Sequence, residues 1–525
     1  MQAFVDHVDV AIVIAYLAAM LWIGWRVTGG SRNIEGFTLG GRELPGWLVG
    51  MSVLGTFLSS ITFLGVPARV YKDGNWNTMA FGLGLPVAAA AAVWFFIPLY
   101  RSRVTLSAYE LLEQQFGYWA RIYAAASFVV LQLIRVAMVL LLVALAVEPL
   151  LHWGVEATLI TLGLIVIVYD VMGGIKAVIW TDLVQVIVLS LAAIWCLLDI
   201  VSLRPGGFAQ LWADLPPGSF SVGQWASWDL SLPTFLVVFL YGVSENVRNY
   251  GTDQNYVQRM LCTPDAREAA KSIWLGALGY LPLSVIFCAI GTGLFALYRV
   301  PVEASAIAPG ESPGANVALH TPLPPNTRAD QVFPHFIKYE LSPWVRGIVV
   351  AGLLAAAMST VDSCLNSMST VLLVDAVRRL RRRRIIIPEI VTVRLFTAGC
   401  GALGTAIAAS IYLRHGNASQ TLMELWWQYA GVAGSGLFGL FILAWLFPRL
   451  PAWSAAVAVL ASIPMLVWGT FARREIPSPE WGLDNCPLHP NLVGIAGFVV
   501  LVAIAAIAQL AVTAGWIAPN PRTQH

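Results

Sequence analysis

The sequence predicts an all-α polytopic membrane protein with about 13 transmembrane helices. Composition is the first reason: 58% of the 525 residues are hydrophobic and only 11% are charged, against about 25% charged in a soluble domain. Mean hydropathy is +0.73, too apolar for a water-exposed surface over this length. The third reason is recurrence: apolar runs of roughly 20 residues, enough to cross the hydrocarbon core, repeat along the chain. The short alternating strands of an outer-membrane barrel are absent. A formal net charge of +2, with basic residues crowded into one short loop, argues against nucleic acid as a partner.

Bounded by charge, Pro and Gly, the predicted spans are 9–27, 46–70, 78–100, 119–150, 156–172, 175–201, 234–258, 268–298, 344–376, 389–413, 419–447, 451–471 and 491–516. The first lacks a basic leader and a small-residue cleavage site, so it is expected to be retained. Several runs exceed 25 residues, which implies tilt or extension beyond the hydrocarbon. Placing the N-terminus outside puts the run Arg378-Arg379-Leu380-Arg381-Arg382-Arg383-Arg384 in the cytoplasm. That orientation leaves about 19 basic residues inside and about 10 outside, as the positive-inside rule asks. An odd number of spans then puts the C-terminus inside, in a cytoplasmic (inner) membrane. The outward loop between 299 and 343 holds a predicted short helix at Asp330–Tyr339.

The six cysteines are scattered, with no CxxC spacing, so no disulfide framework is expected. There is no GxxxxGK[ST] loop, and no nucleotide-binding or catalytic domain is expected after the last span. None of the seven histidines sits in mid-span, which argues against a histidine proton relay. No nucleophile and base set points to an enzyme. No obligate protein partner is evident beyond the lipid bilayer itself.

Polar groups inside spans are costly and therefore informative. Span 46–70 carries Gly50, Ser52, Gly55, Thr56, Ser59, Ser60, Thr62 and Gly65 around its middle. This suits a helix interrupted at its centre, with freed carbonyls able to coordinate a cation; helix packing by small residues is the alternative. In span 344–376, Ser359, Asp362 and Ser363 share one helical face and Thr360 flanks it. Hard oxygens suit a small hard cation. Hydroxyls bonding their own backbone is the alternative, and it leaves Asp362 unexplained. Asp182 lies about two turns inside its span and either caps or pairs with Lys176 or adds a further cation ligand.

Arg135 lies deep in span 119–150 with no acid within a helical turn. Either it pairs with Glu245, Asp182 or Asp362, or it binds an anionic substrate, for which a guanidinium gives bidentate carboxylate geometry. The segment Tyr241–Arg259 is too polar to face lipid and reads as lining a pathway. Trp426-Trp427-Gln428-Tyr429 adds an aromatic and amide cluster, with an interfacial belt as the alternative for the tryptophans.

Four motifs, in order along most of the chain, resemble the sodium/solute symporter family, which includes sodium-coupled sugar, sialic acid, proline and monocarboxylate transporters. They are Phe37–Arg42 followed by the interrupted helix, Tyr169–Asp182 with its Gly173-Gly174 pair, Thr252-Asp253-Gln254 with Gln258-Arg259, and Ala355–Asn366. The resemblance implies a LeuT-type architecture of two inverted five-helix repeats. It would divide the chain into a leading helix and loop (1–45), a first repeat (46–201), an outer loop (202–233), a second repeat (234–447) and two added helices with a tail (448–525). The interrupted helices would be 46–70 and 234–258.

The resemblance also implies sites. A main sodium site would use the carbonyls of Gly55, Leu58 and Ala356 with the hydroxyls of Ser359 and Thr360. A second would use Asp182, Ser359, Asp362 and Ser363, where Asp362 replaces the Ser of some two-sodium members. Sugar-transporting members place Asn at Arg135 and Lys at Tyr280, although Asn246 and Gln428 match their polar ligands. Sialic acid transporters look similar at Ser59, Thr62 and Arg135, with Ser60 alongside and the Arg taking the carboxylate. Phe57 departs from them, since a hydroxyl is expected there. The expected activity is sodium-coupled import of a small organic anion, sialic acid or another acidic sugar, by alternating access. A neutral sugar, polyol, amino acid or monocarboxylate is the alternative cargo, and a membrane sensor without transport the alternative class.

Overall fold

In the computed structural model, the residues described are 7–27, 33–104, 106–151, 153–204, 207–213, 215–225, 227–299, 321–325, 327–378, 387–415, 434, 436–471, 486–518 and 520. The longer helices are α1 (His7–Val27), α2 (Gly46–Phe57), α3 (Ser60–Asp73), α4 (Met79–Arg103), α5 (Tyr118–Leu151), α6 (Val155–Leu203) and α7 (Phe235–Thr252). They continue as α8 (Gln254–Leu261), α9 (Ala266–Arg299), α10 (Ala329–Tyr339), α11 (Pro343–Val377), α12 (Glu389–His415), α13 (Gly436–Leu446), α14 (Ala452–Phe471) and α15 (Pro490–Thr513). No strand occurs among the described residues.

Among these residues nine helices are long and apolar enough to cross a membrane, or ten if the bent pair α2–α3 is one span. Three things separate this count from the predicted thirteen. The 49 residues of α6 are one helix by hydrogen bonding but two spans by length, broken at Gly174. The polar α7 is not apolar enough to count. Much of the predicted span 419–447 lies outside the described residues.

The breaks follow from local chemistry. Gly174 has φ +58° and ψ −154°, and a Cβ there would sit 2.6 Å from the Phe37 carbonyl oxygen. Only glycine tolerates both the backbone region and the close approach. Between α2 and α3 the axis bends by 53°. There Ser59, not Gly55, restarts the hydrogen bonding: its Oγ accepts from Thr62 N at 3.4 Å as an N-cap. The Ser59 N–H donates to Phe57 O at 3.2 Å rather than to the helical partner Gly55 O. Between α7 and α8, Asp253 is extended and its Oδ1 accepts from Asn255 N at 2.8 Å, capping α8. Both predicted interrupted helices are thus interrupted, and the second runs on to Leu261.

Helix α11 is the buried axis of the molecule, with every residue from Val349 to Val371 buried. Helices α1, α5, α6 and α12 pack around it. Exposed Trp22, Trp25, Trp94 and Trp453 lie on the outer surface, where amphipathic rings suit a lipid boundary. The six cysteines are all free thiols, and the predicted outer-loop helix forms as α10.

Candidate functional site

The site is built where the breaks in α2–α3 and α7–α8 face α5, α6 and α11. Gly55, one turn before the first break, lies against α11 and α6. A Cβ on it would come within 2.9 Å of Ser359 Oγ and 3.4 Å of Asp182 Oδ1. Its carbonyl is released from the helical ladder, and so is that of Leu58 at the bend, because Thr62 N turns to Ser59 Oγ. Thr360 Oγ1 donates to Ala356 O at 3.2 Å, which leaves the hydroxyl's lone pairs available. Gly55, Ser359 and Asp182 are therefore in contact. The hydrogen bonds of Leu58, Ala356 and Thr360 are within their own segments.

Asp182 is fully buried at the heart of this region. Its carboxylate accepts from the hydroxyls of Ser52 and Ser359 and from Arg259 Nη2 at 3.0 Å. The pairing with Lys176 does not form; Arg259 is the partner. The Arg259 guanidinium, also buried, donates to Ser52 Oγ at 2.7 Å, Asn255 O at 2.9 Å and Ser363 Oγ at 2.6 Å. Asp362 accepts from the Tyr169 hydroxyl at 2.8 Å and from Ser363 Oγ at 3.4 Å. The four residues expected at a second cation site thus belong to one hydrogen-bonded network.

Ser52, Tyr169 and Arg259 are the members that the sequence reading missed. The signal for Arg259 existed: a charge inside the protein at membrane depth demands a partner. It was hidden because the predicted span stopped at 258, whereas α8 continues and is buried throughout.

Arg135 is the second centre. Its Nη2 donates to Thr56 O at 3.4 Å, at the bend of α2–α3, and it faces the Tyr256 hydroxyl. Among the described residues it makes no ion pair. The three acids offered as partners are engaged elsewhere: Glu245 with Arg248, Asp182 with Arg259, and Asp362 with Tyr169. Nearby Asp253 accepts instead from Gln132 Nε2 at 3.1 Å.

Around the same bend, Ser60 Oγ is buried without a hydrogen-bond partner, and Thr62 Oγ1 donates to Phe57 O at 3.1 Å. Asn246, on α7, donates to Gly242 O at 2.7 Å while its Oδ1 has no partner. No hydrogen bond joins it to Arg135 among the described residues. Gln428 lies outside them. Phe57 and Tyr280, the two positions that depart from the resembling transporters, meet: their ring centroids are 6.2 Å apart.

Interrupted helices facing one another, hydroxyls and freed carbonyls at the breaks, and a half-buried guanidinium without an ion pair among the described residues define a cation-coupled solute transporter. Residues 37–461 match the model of the sodium:solute symporter family. The chain belongs to that family, and is a multi-pass membrane protein and not an enzyme. It is 30% identical over 464 residues to the sodium/sialic acid symporter SiaT of Proteus mirabilis, covering 87% of this chain and 88% of the relative. It is 29% identical to the sodium/sialic acid symporter NanT of Aliivibrio fischeri, covering 86% of each. The sodium/glucose cotransporter of Vibrio parahaemolyticus is 27% identical, covering 90% of this chain and 87% of that one.

A solved Na+-coupled sialic acid symporter, substrate-bound and outward-open, superposes with a TM-score of 0.82 at 27% identity, covering 98% and 99% of the two chains. The nucleobase-cation-symport transporter Mhp1 superposes with a TM-score of 0.56 at 13% identity, covering 91% of this chain and 95% of that one. That second likeness speaks to fold alone, the LeuT-type arrangement. Sodium is accordingly the coupling ion.

Proposed function

We propose that this symporter imports a small organic anion, sialic acid or another acidic sugar, with sodium, by alternating access. The observation that carries the reading is Arg135. Half-buried at membrane depth and without an ion pair among the described residues, its guanidinium is free to take a carboxylate from a ligand, and its planar fork matches one. Ser59, Ser60 and Thr62 at the adjacent bend supply hydroxyls, and Asn246 and Gln428 further polar contacts. The relatives that are named sialic acid symporters support the choice of cargo.

Sodium is held in this reading by the carbonyls of Gly55, Leu58 and Ala356 and the hydroxyls of Ser359 and Thr360. A second ion sits among Asp182, Asp362, Ser359 and Ser363. The acid content supports it: Asp182 is paired with Arg259, whereas Asp362 is held only by hydroxyls and has no cationic partner among the described residues. Gly55 to Ser359 is where the first interrupted helix meets α11, so filling the site joins two elements that must move apart to open the path inward.

The chain would lie in the cytoplasmic membrane, N-terminus outside and C-terminus inside. Its two repeats would span 46–201 and 234–447, following a leading segment 1–45 and separated by the loop 202–233, with 448–525 added at the end. Cargo and lipid are its only proposed partners. The test is uptake of labelled N-acetylneuraminate into proteoliposomes. Accumulation above equilibrium with an inward sodium gradient, and none with potassium in its place, is expected. Uptake indifferent to sodium overturns the reading.

A further inference from the structure

The wall beside Arg135 is aromatic, and this has consequences for what the carboxylate is attached to. Phe57 ends α2 at the bend, one residue after Thr56, whose carbonyl receives Arg135. Its ring is half-buried, and three tyrosines surround it. The centroids of Tyr256, Tyr250 and Tyr280 are 4.8, 5.6 and 6.2 Å from that of Phe57. Tyr250 and Tyr256 are themselves edge-on at 5.4 Å. The tyrosines are buried, so the partly open ring of Phe57 is the one that presents a face. Within this apolar wall the Tyr250 hydroxyl is fully buried and has no hydrogen-bond partner among the described residues.

We propose that Phe57, braced by these tyrosines, is the specificity-determining residue of the substrate site. It selects carboxylates that turn an apolar ring face to position 57, as an acidic sugar can with its C–H face, and it selects against those that turn a hydroxyl there. The inference rests on the reading of Arg135 as the carboxylate site. A benzyl side chain has neither donor nor acceptor, so a substrate hydroxyl pressed on it loses water without replacement. The same ring packs well on the apolar face of a six-membered ring. A hydroxyl side chain at position 57 would reverse the preference, because a site built to hydrogen-bond a substrate hydroxyl penalises its absence.

The experiment is equilibrium binding to the purified, sodium-loaded protein of two probes, cyclohexanecarboxylate and N-acetylneuraminate. They are compared in the wild type, Phe57→Ser, Phe57→Leu and Arg135→Gln. The affinity ratio of cyclohexanecarboxylate to N-acetylneuraminate should fall on the order of tenfold to a hundredfold in Phe57→Ser. Phe57→Leu, still apolar, should keep the wild-type ratio within a few-fold and guards against loss of folding. An unchanged ratio in Phe57→Ser overturns the role of Phe57 and leaves the carboxylate reading intact. Equal binding of both probes by Arg135→Gln and the wild type, or no binding of either by the wild type, overturns the carboxylate reading and this inference with it.

Discussion

Arg259 on α8 donates to Asp182 on α6 across 3.0 Å, with both side chains buried. The pair ties the half-helix after the second break to the helix behind the first. It also explains how a guanidinium and a carboxylate persist at this depth, since each satisfies the other and the hydroxyls of Ser52 and Ser363 complete the set.

Breaking this pair on one side should be costly. Removing one partner of a buried ion pair typically costs about 3–5 kcal/mol, because a charge is left uncompensated. Arg259→Leu should lower the melting temperature of the detergent-purified protein by several degrees, and added sodium should recover part of the loss by supplying a cation to Asp182. A melting curve equal to the wild type in both salts would show the pair to be dispensable.

Ser359→Ala combined with Thr360→Ala should abolish sodium-driven uptake while the protein still folds. Both residues lie on the buried axis helix, and Ser359 Oγ sits against Gly55 at the first break. Proteoliposome uptake across a range of sodium concentrations checks this. Normal sodium dependence in the double variant contradicts it.

Arg135→Gln keeps hydrogen bonding and removes the charge. Charge-assisted hydrogen bonds contribute about 1.5–3 kcal/mol, so substrate affinity should fall roughly tenfold to a hundredfold. The melting temperature should change little, because no carboxylate of the protein is left unpaired. Unchanged affinity with lost stability is the contrary outcome.

More than one sodium should accompany each substrate anion. A tenfold sodium gradient supplies about 1.4 kcal/mol per ion, and a potential of about 100 mV adds roughly 2.3 kcal/mol per net charge moved. One sodium with one monoanion moves no net charge and sustains only about tenfold accumulation. Two sodium ions give about 5 kcal/mol in all, enough for accumulation of several thousandfold. Rapid addition of a monoanionic substrate to proteoliposomes should therefore produce an inward positive current, reduced in Asp182→Asn. Electroneutral uptake refutes two-ion coupling.

Gly174→Ala should destabilise the protein by more than an ordinary helix substitution. Gly174's backbone, at φ +58° and ψ −154°, is open essentially to glycine alone and costs a residue with a side chain about 1–3 kcal/mol, and the new methyl would meet the Phe37 carbonyl at 2.6 Å. Thermal melting reads this directly, and a variant as stable as the wild type would mean that α6 can straighten.

The order of the apolar runs, the interrupted middle of span 46–70 and the cluster at Ser359–Ser363 were legible in the linear order. They depend on composition and on periodicities of a few residues. The break at Gly173-Gly174 and the isolation of Arg135 from any acid within a turn were legible for the same reason. What the sequence could not decide is which of several distant acids meets which guanidinium. Lys176 is close to Asp182 in sequence, yet Arg259, on another helix, is the residue that pairs with it. Arg135 had three candidate partners and takes none of them among the described residues. Such choices are settled by how helices cross, because a charge buried at membrane depth is stabilised only by the group that packing brings within about 3 Å. The meeting of Phe57 with Tyr280 is of the same kind: residues 223 positions apart share a wall because the bend at Phe57–Ser60 turns one ring toward α9.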